Sequence, residues 1–160
     1  EAIVGKAKAI RTDYQPTEDD NVTIKGVAGD TYAMGFLGYA YYEENKDKVK
    51  AVAIDHGKGC VLPSRETVLD GTYQPLSRPL FIYVNVKSLD RPEVQAFVDF
   101  YLSPAARRAI RSTGYVELPS EAYRIGQELV KRRKAGTFFM ELPAGTPLSK
   151  FIQELDKELR

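Results

Sequence analysis

The chain is 160 residues long, with 43% hydrophobic and 28% charged residues, the balance of a folded globular polypeptide and not of a disordered one. Twenty-three basic and twenty-two acidic side chains leave a formal charge of +1, so bulk electrostatics attracts neither nucleic acid nor an anionic membrane. A single cysteine, Cys60, and a single histidine, His56, exclude an internal disulfide, a cysteine-rich zinc site and a multi-histidine metal site.

In chain order, residues 1–10 are compatible with a short helix, and the polar connector "RTDYQPTEDDN" follows. Asp20 is placed to cap a helical stretch "NVTIKGVAG", which Gly29 would end. The next stretch, "AMGFL" then "YAYYEENKDK" then "VKAVAID", switches from a short apolar run to helical spacing and back. It predicts strand, helix, strand, with Tyr39 and Tyr42 beginning the buried stripe of the helix, and hence an α/β unit. A glycine turn at Gly57 and Gly59 holds His56, which reads as a turn residue, and leaves Cys60 as a free thiol. Ser64 is positioned as the N-cap of a helix closed by Gly71.

"PLFIYVNV", residues 79–86, is rich in β-branched and aromatic residues and predicts a central, buried strand. Val94, Phe97, Val98, Tyr101 and Leu102 then repeat at helical spacing and predict one continuous buried stripe. Ser103 and Pro104 open a further helix that Gly114 ends. "SEAYRIGQELVKRRKAG" predicts an amphipathic helix whose basic run, Lys131 to Lys134, reads as a solvated end complementing the helix dipole, with a contact patch as the alternative. From Thr146 to Arg160, Leu148, Phe151, Ile152, Leu155 and Leu159 share one face of a docked terminal helix.

Catalytic chemistry finds no foothold in this pattern. The chain has no nucleophile elbow, P-loop, metal-ligand helix or dinucleotide fingerprint, and the pairs Asp19/Asp20 and Glu43/Glu44 sit in polar, surface-type stretches. No catalytic residue, metal or cofactor is assigned. The ten tyrosines could line a ligand cleft, but those at 39, 42 and 101 fall at helix-core intervals.

Four separated blocks, "GVAGDTYAMGFLGYAYYEENKDKVKAVAID", "PSRETVLDGTYQPLSRPLFIYV", "VQAFVDFYLSPAARRAIRSTGYVELP" and "VKRRKAGTFF", occur in an order and spacing that resemble the phosphate-binding proteins of ABC transporters, of the cyanobacterial type. The resemblance runs over nearly the whole chain. It implies an α/β, two-lobed, periplasmic-binding-protein-like fold of type II, of which this chain is a partial piece from the C-terminal portion. Residues 1–76 would be part of the second lobe, and residues 77–160 a hinge strand with C-terminal elements of the first.

The function so implied is periplasmic capture of inorganic phosphate between the lobes and its delivery to a membrane permease, with no nucleic acid involved. An effector-binding regulatory domain of the same fold is the alternative, and a phosphatase-like enzyme a third, disfavoured reading. The family's serine, threonine, aspartate and R-x-x-S-G-T anion blocks do not occur here, and the last would be expected just upstream of Glu1. Only Gly38 and Tyr39, after the first strand, and Ser77 and Arg78, at the hinge, are nominated as near the cleft. A chain lacking the other ligands would bind phosphate weakly and expose apolar surface, so self-association is expected.

Overall fold

The computed structural model describes residues 5–7, 9–136, 142–143 and 146–160. Among these the chain is rich in helix and poor in sheet. Residues 5–7, 9 and 10 are not helical, against the expectation for the first ten residues.

Helix α1, Asp20–Gly29, is capped one residue earlier than expected: the Asp19 carboxylate accepts the N–H of Asn21 at 2.9 Å. The segment after it runs back against α1. A Cβ built on Gly35 would lie 2.5 Å from Thr23 Cγ2 and 3.0 Å from Val27 Cγ2, so only glycine fits this approach. Ala33, Gly35 and Leu37 are half-buried and alternate with exposed Met34 and Phe36, the two-residue period of a strand. Yet "AMGFL" is not a strand here, because no described segment pairs with its backbone.

Helix α2, Tyr39–Glu44, buries Ala40. The expected strand "VKAVAI" contracts to β1, Ile54–Asp55, which pairs antiparallel with β2, Cys60–Val61, in the register Ile54 to Val61 and Asp55 to Cys60. The Asp55 carboxylate accepts the N–H of Gly57 at 2.7 Å and of Gly59 at 3.0 Å, which pins the turn carrying His56. Helix α3, Arg65–Leu69, opens with a reciprocal cap: Ser64 Oγ accepts the N–H of Thr67, and Thr67 Oγ1 accepts the N–H of Ser64.

Residues 79–85 overturn the expectation of a central buried strand. Leu80, Phe81, Ile82 and Tyr83 are all exposed and belong to no ladder among the described residues, and a 3-10 helix, Val86–Asp90, follows directly. A strand, unlike a helix, has its backbone groups satisfied only by a second segment, and none among the described residues supplies them. Phe81 does stack on Phe151, ring centroids 5.5 Å apart.

Helices α4, Pro92–Tyr101, α5, Pro104–Ser112, α6, Ser120–Lys131, and α7, Leu148–Lys157, hold most of the core. Leu89, Val98, Ala106, Tyr123, Ile125 and Phe151 are buried there. Ser103 caps α5 with Pro104 at its first position, as the sequence predicts. The stripe on α4 is narrower than expected, because Val98 is buried and Val94 and Leu102 are half-buried, while Phe97 is 63% exposed and Tyr101 is exposed beside it.

The basic run ending α6 is also not simply solvated. Arg133 donates to the Asp90 carboxylate at 2.6 Å, Arg132 to the carbonyl of Leu159 at 2.5 Å, and Lys134 to the carbonyl of Glu158 at 3.0 Å. Lys134 N–H to Leu129 and Arg133 N–H to Val130, at 3.0 and 2.9 Å, close a Schellman turn with Arg133 at φ 51°. The run therefore ties α6 to the end of α7 and to the 3-10 helix.

Candidate functional site

Tyr39 opens α2 after Gly38, its extended N-cap at φ −66° and ψ 145°. Its hydroxyl donates to Glu43 Oε2 at 2.7 Å, one helical turn on, and Lys46 Nζ donates to the other oxygen of Glu43 at 2.8 Å. Burial first, and the bond to the Glu43 carboxylate second, push the Tyr39 phenol up to about 12. Lys46 chiefly, then Tyr39, hold the Glu43 carboxyl below its ordinary range. The Arg65 guanidinium acts on this pair as a further positive charge and donates to the carbonyl of Tyr115 at 2.9 Å. Gly114 packs on Ala40, so α2 is seated on the loop that follows α5.

Ser77 and Arg78 lie beyond the Gln74–Pro75 bond, which is cis. Ser77 Oγ donates to the carbonyl of Tyr73 at 2.5 Å, and Arg78 is exposed. No hydrogen bond or ion pair among the described residues joins the Gly38–Tyr39 pair to the Ser77–Arg78 pair. Tyr39 and Ser77 have each committed their single proton inside the chain, so neither hydroxyl donates to an anion without first giving up that bond. The Arg78 guanidinium is the free side-chain donor of the four. Gln74, three residues before Ser77, is buried, and its side-chain amide oxygen lacks a hydrogen-bond partner.

No group of three or more metal-binding side chains occurs among the described residues, and no helix among them is long and apolar enough to cross a membrane.

No family model matches the chain. Protein SphX of Synechocystis sp. is 48% identical over 156 residues, covering 94% of this chain and 46% of that protein. The phosphate-binding protein PstS of Staphylococcus haemolyticus is 41% identical over 108 residues, 66% of this chain and 34% of its own length. The chain is a homologue of SphX and PstS.

The crystal structure of a possible phosphate binding protein from Planctomyces limnophilus matches with a TM-score of 0.63 at 40% identity, over 82% of this chain and 47% of that one. The chain thus spans about half the length, or less, of the relatives it matches. The match at this identity places it in the α/β binding-protein fold, of which it forms a part. The scarcity of sheet among the described residues fits that relation, since strands in such a fold draw partners from well-separated parts of the chain.

Arg65 is the residue that sequence reasoning passed over. Ser64 and Thr67 announce a helix start, but nothing local says that the arginine between them reaches Tyr115, fifty positions on, and lies near Tyr39 and Glu43.

Proposed function

We propose that this protein is the phosphate-binding component of an ABC transporter, working in the periplasm, which holds inorganic phosphate between two lobes and hands it to a membrane permease. The observation that carries this reading is the 41% identity to a protein named phosphate-binding, together with the 48% identity to SphX over almost the whole chain. The role is capture and release, not turnover. In this reading residues 1–76 contribute to the second lobe, and residues 77–160 supply a hinge segment and elements of the first.

Gly38, Tyr39, Ser77 and Arg78 border the cleft in the proposed arrangement. Arg78 offers a guanidinium fork suited to two phosphate oxygens, and the backbone N–H groups beside Gly38 add neutral donors. Selective anion binding needs many donors and exclusion of water, which a stretch half the length of its relatives supplies only in part.

The test is a chimera in which this chain replaces the aligned segment of Synechocystis SphX, titrated calorimetrically with phosphate and with sulfate. Retained phosphate binding that discriminates against sulfate, weakened by Arg78→Ala, is the expected result, with weak or absent binding by the 160-residue chain alone. A chimera that folds but no longer prefers phosphate would overturn the assignment, as would hydrolysis of phosphate esters by the chain.

A further inference from the structure

Arg133 holds a backbone state that an L-residue rarely adopts. Its φ of 51° lies in the left-handed region, at the position after a helix that glycine usually fills, and among the described residues it is the only non-glycine with a positive φ. A side chain kept at such a position points to a use that offsets the strain. Here the guanidinium reaches the Asp90 carboxylate, 43 residues away in sequence, at 2.6 Å. Asp90 ends the 3-10 helix that follows residues 79–85, so the bond fixes the far end of that stretch.

The near end is held by α7. Phe151, buried on α7, stacks on Phe81, and Pro147, the N-cap of α7, has its Cβ 3.6 Å from where a Cβ of Gly71 would lie. The other end of α7 is held by α6: Lys134 Nζ lies 3.0 Å from both the carbonyl and the carboxylate of Glu158, and Arg132 donates to the carbonyl of Leu159. Cations placed here neutralise the negative ends of two helix dipoles at once. Residues 71–90 are thus bracketed by one helix pair, through Gly71 and Phe81 on α7 and through Asp90 on the end of α6.

We propose that the cationic end of α6 and helix α7 form a releasable clamp on residues 71–90, with Arg133 as its positioning residue. Its functional role rests on the reading of residues 77–160 as carrying a hinge segment: the clamp then sets how freely that hinge moves and where Ser77 and Arg78 stand. Arg133 and Asp90 are 48% and 67% exposed, so their bond is modest in strength and is screened by salt. That suits a joint between lobes that part and close, because moving elements are drawn from the weakly held parts of a fold.

Hydrogen exchange of the 160-residue chain, followed amide by amide, tests this with Arg133→Gly and Lys134→Gln as separate variants. The probes are bonded amides: Ser88 to the Asn85 carbonyl and Arg91 to that of Ser88 on one side, Tyr73 to that of Thr67 and Gln74 to that of Thr72 on the other. Arg133→Gly should speed exchange at Ser88 and Arg91 about threefold, the effect of losing an exposed ion pair, while the melting temperature stays level or rises because glycine relieves the strain. Lys134→Gln should speed exchange at Tyr73 and Gln74 about threefold, an effect carried to them through α7. Salt at about 1 M should move the parent in the same direction at both pairs of probes. Unchanged rates at either pair in its variant overturn the proposal, and so does a rise shared equally by α4 and α5, which reports only a loss of overall stability. Phosphate plays no part in the measurement, so its failure is distinct from failure of the binding reading.

Discussion

Replacing Gly114 with alanine probes the joint on which α2 sits. Gly114 follows α5 with φ at +77°, a backbone state that costs an L-residue about 1–2 kcal/mol. The added Cβ would also lie 3.3 Å from Ala40 Cβ and 3.6 Å from Ala40 Cα, against a residue that is itself buried. A contact that tight makes the neighbour yield by a few tenths of an ångström. Gly114→Ala should therefore destabilise by about 1–2 kcal/mol from the backbone alone, a fall in Tm of about 2–8 °C for a chain of this size. Gly26, inside α1 with nothing within 4 Å of its added Cβ, is the matched control. Gly26→Ala should instead stabilise by about 0.5–1 kcal/mol, because it removes only backbone freedom from the unfolded chain. Thermal unfolding followed by circular dichroism reads both. Opposite signs support the reasoning; a Gly114→Ala protein as stable as the parent would refute it. A double-mutant cycle with Ala40→Gly then separates steric contact from backbone strain, since only the contact couples the two positions.

Burial and charge give three further predictions. Ile125 is completely buried, so Ile125→Ala should cost about 2–5 kcal/mol in denaturant unfolding. Phe97→Ala, by contrast, should change the monomer's stability by less than about 0.5 kcal/mol, because the ring is largely in solvent. Tyr39 gives a pH signature: its folded pKa, about 12, lies above the ordinary 10.0, so its share of stability is intact below pH 10 and is lost as pH rises toward 12. Tyr39→Phe should flatten the alkaline limb of the stability profile over that window, and an unchanged limb would count against the Tyr39–Glu43 bond.

What the sequence made legible is set by how far each interaction reaches along the chain. Ser64 and Ser103 announce their helices because a cap bonds to backbone two or three residues away, and the structure keeps both. Asp20 missed by one residue because Asp19 beside it has the same chemistry, and only backbone geometry decides between adjacent carboxylates. "AMGFL" and "PLFIYV" have the composition of strands, and the first even has a strand's alternating exposure, but a ladder partner is a property of another segment.

Reach along the chain decides the site as well. Glu43 lies four residues from Tyr39, so helical spacing could have paired them, and the tyrosine's fit to a core stripe drew the reading away from its hydroxyl. The partners of Arg65, Arg133 and Lys134 lie 50, 43 and 24 residues away and leave no local mark. Phe97 shows the converse limit. Periodicity identifies the apolar arc of α4, but how much of that arc is buried, Val98 and not Phe97, depends on what packs against it.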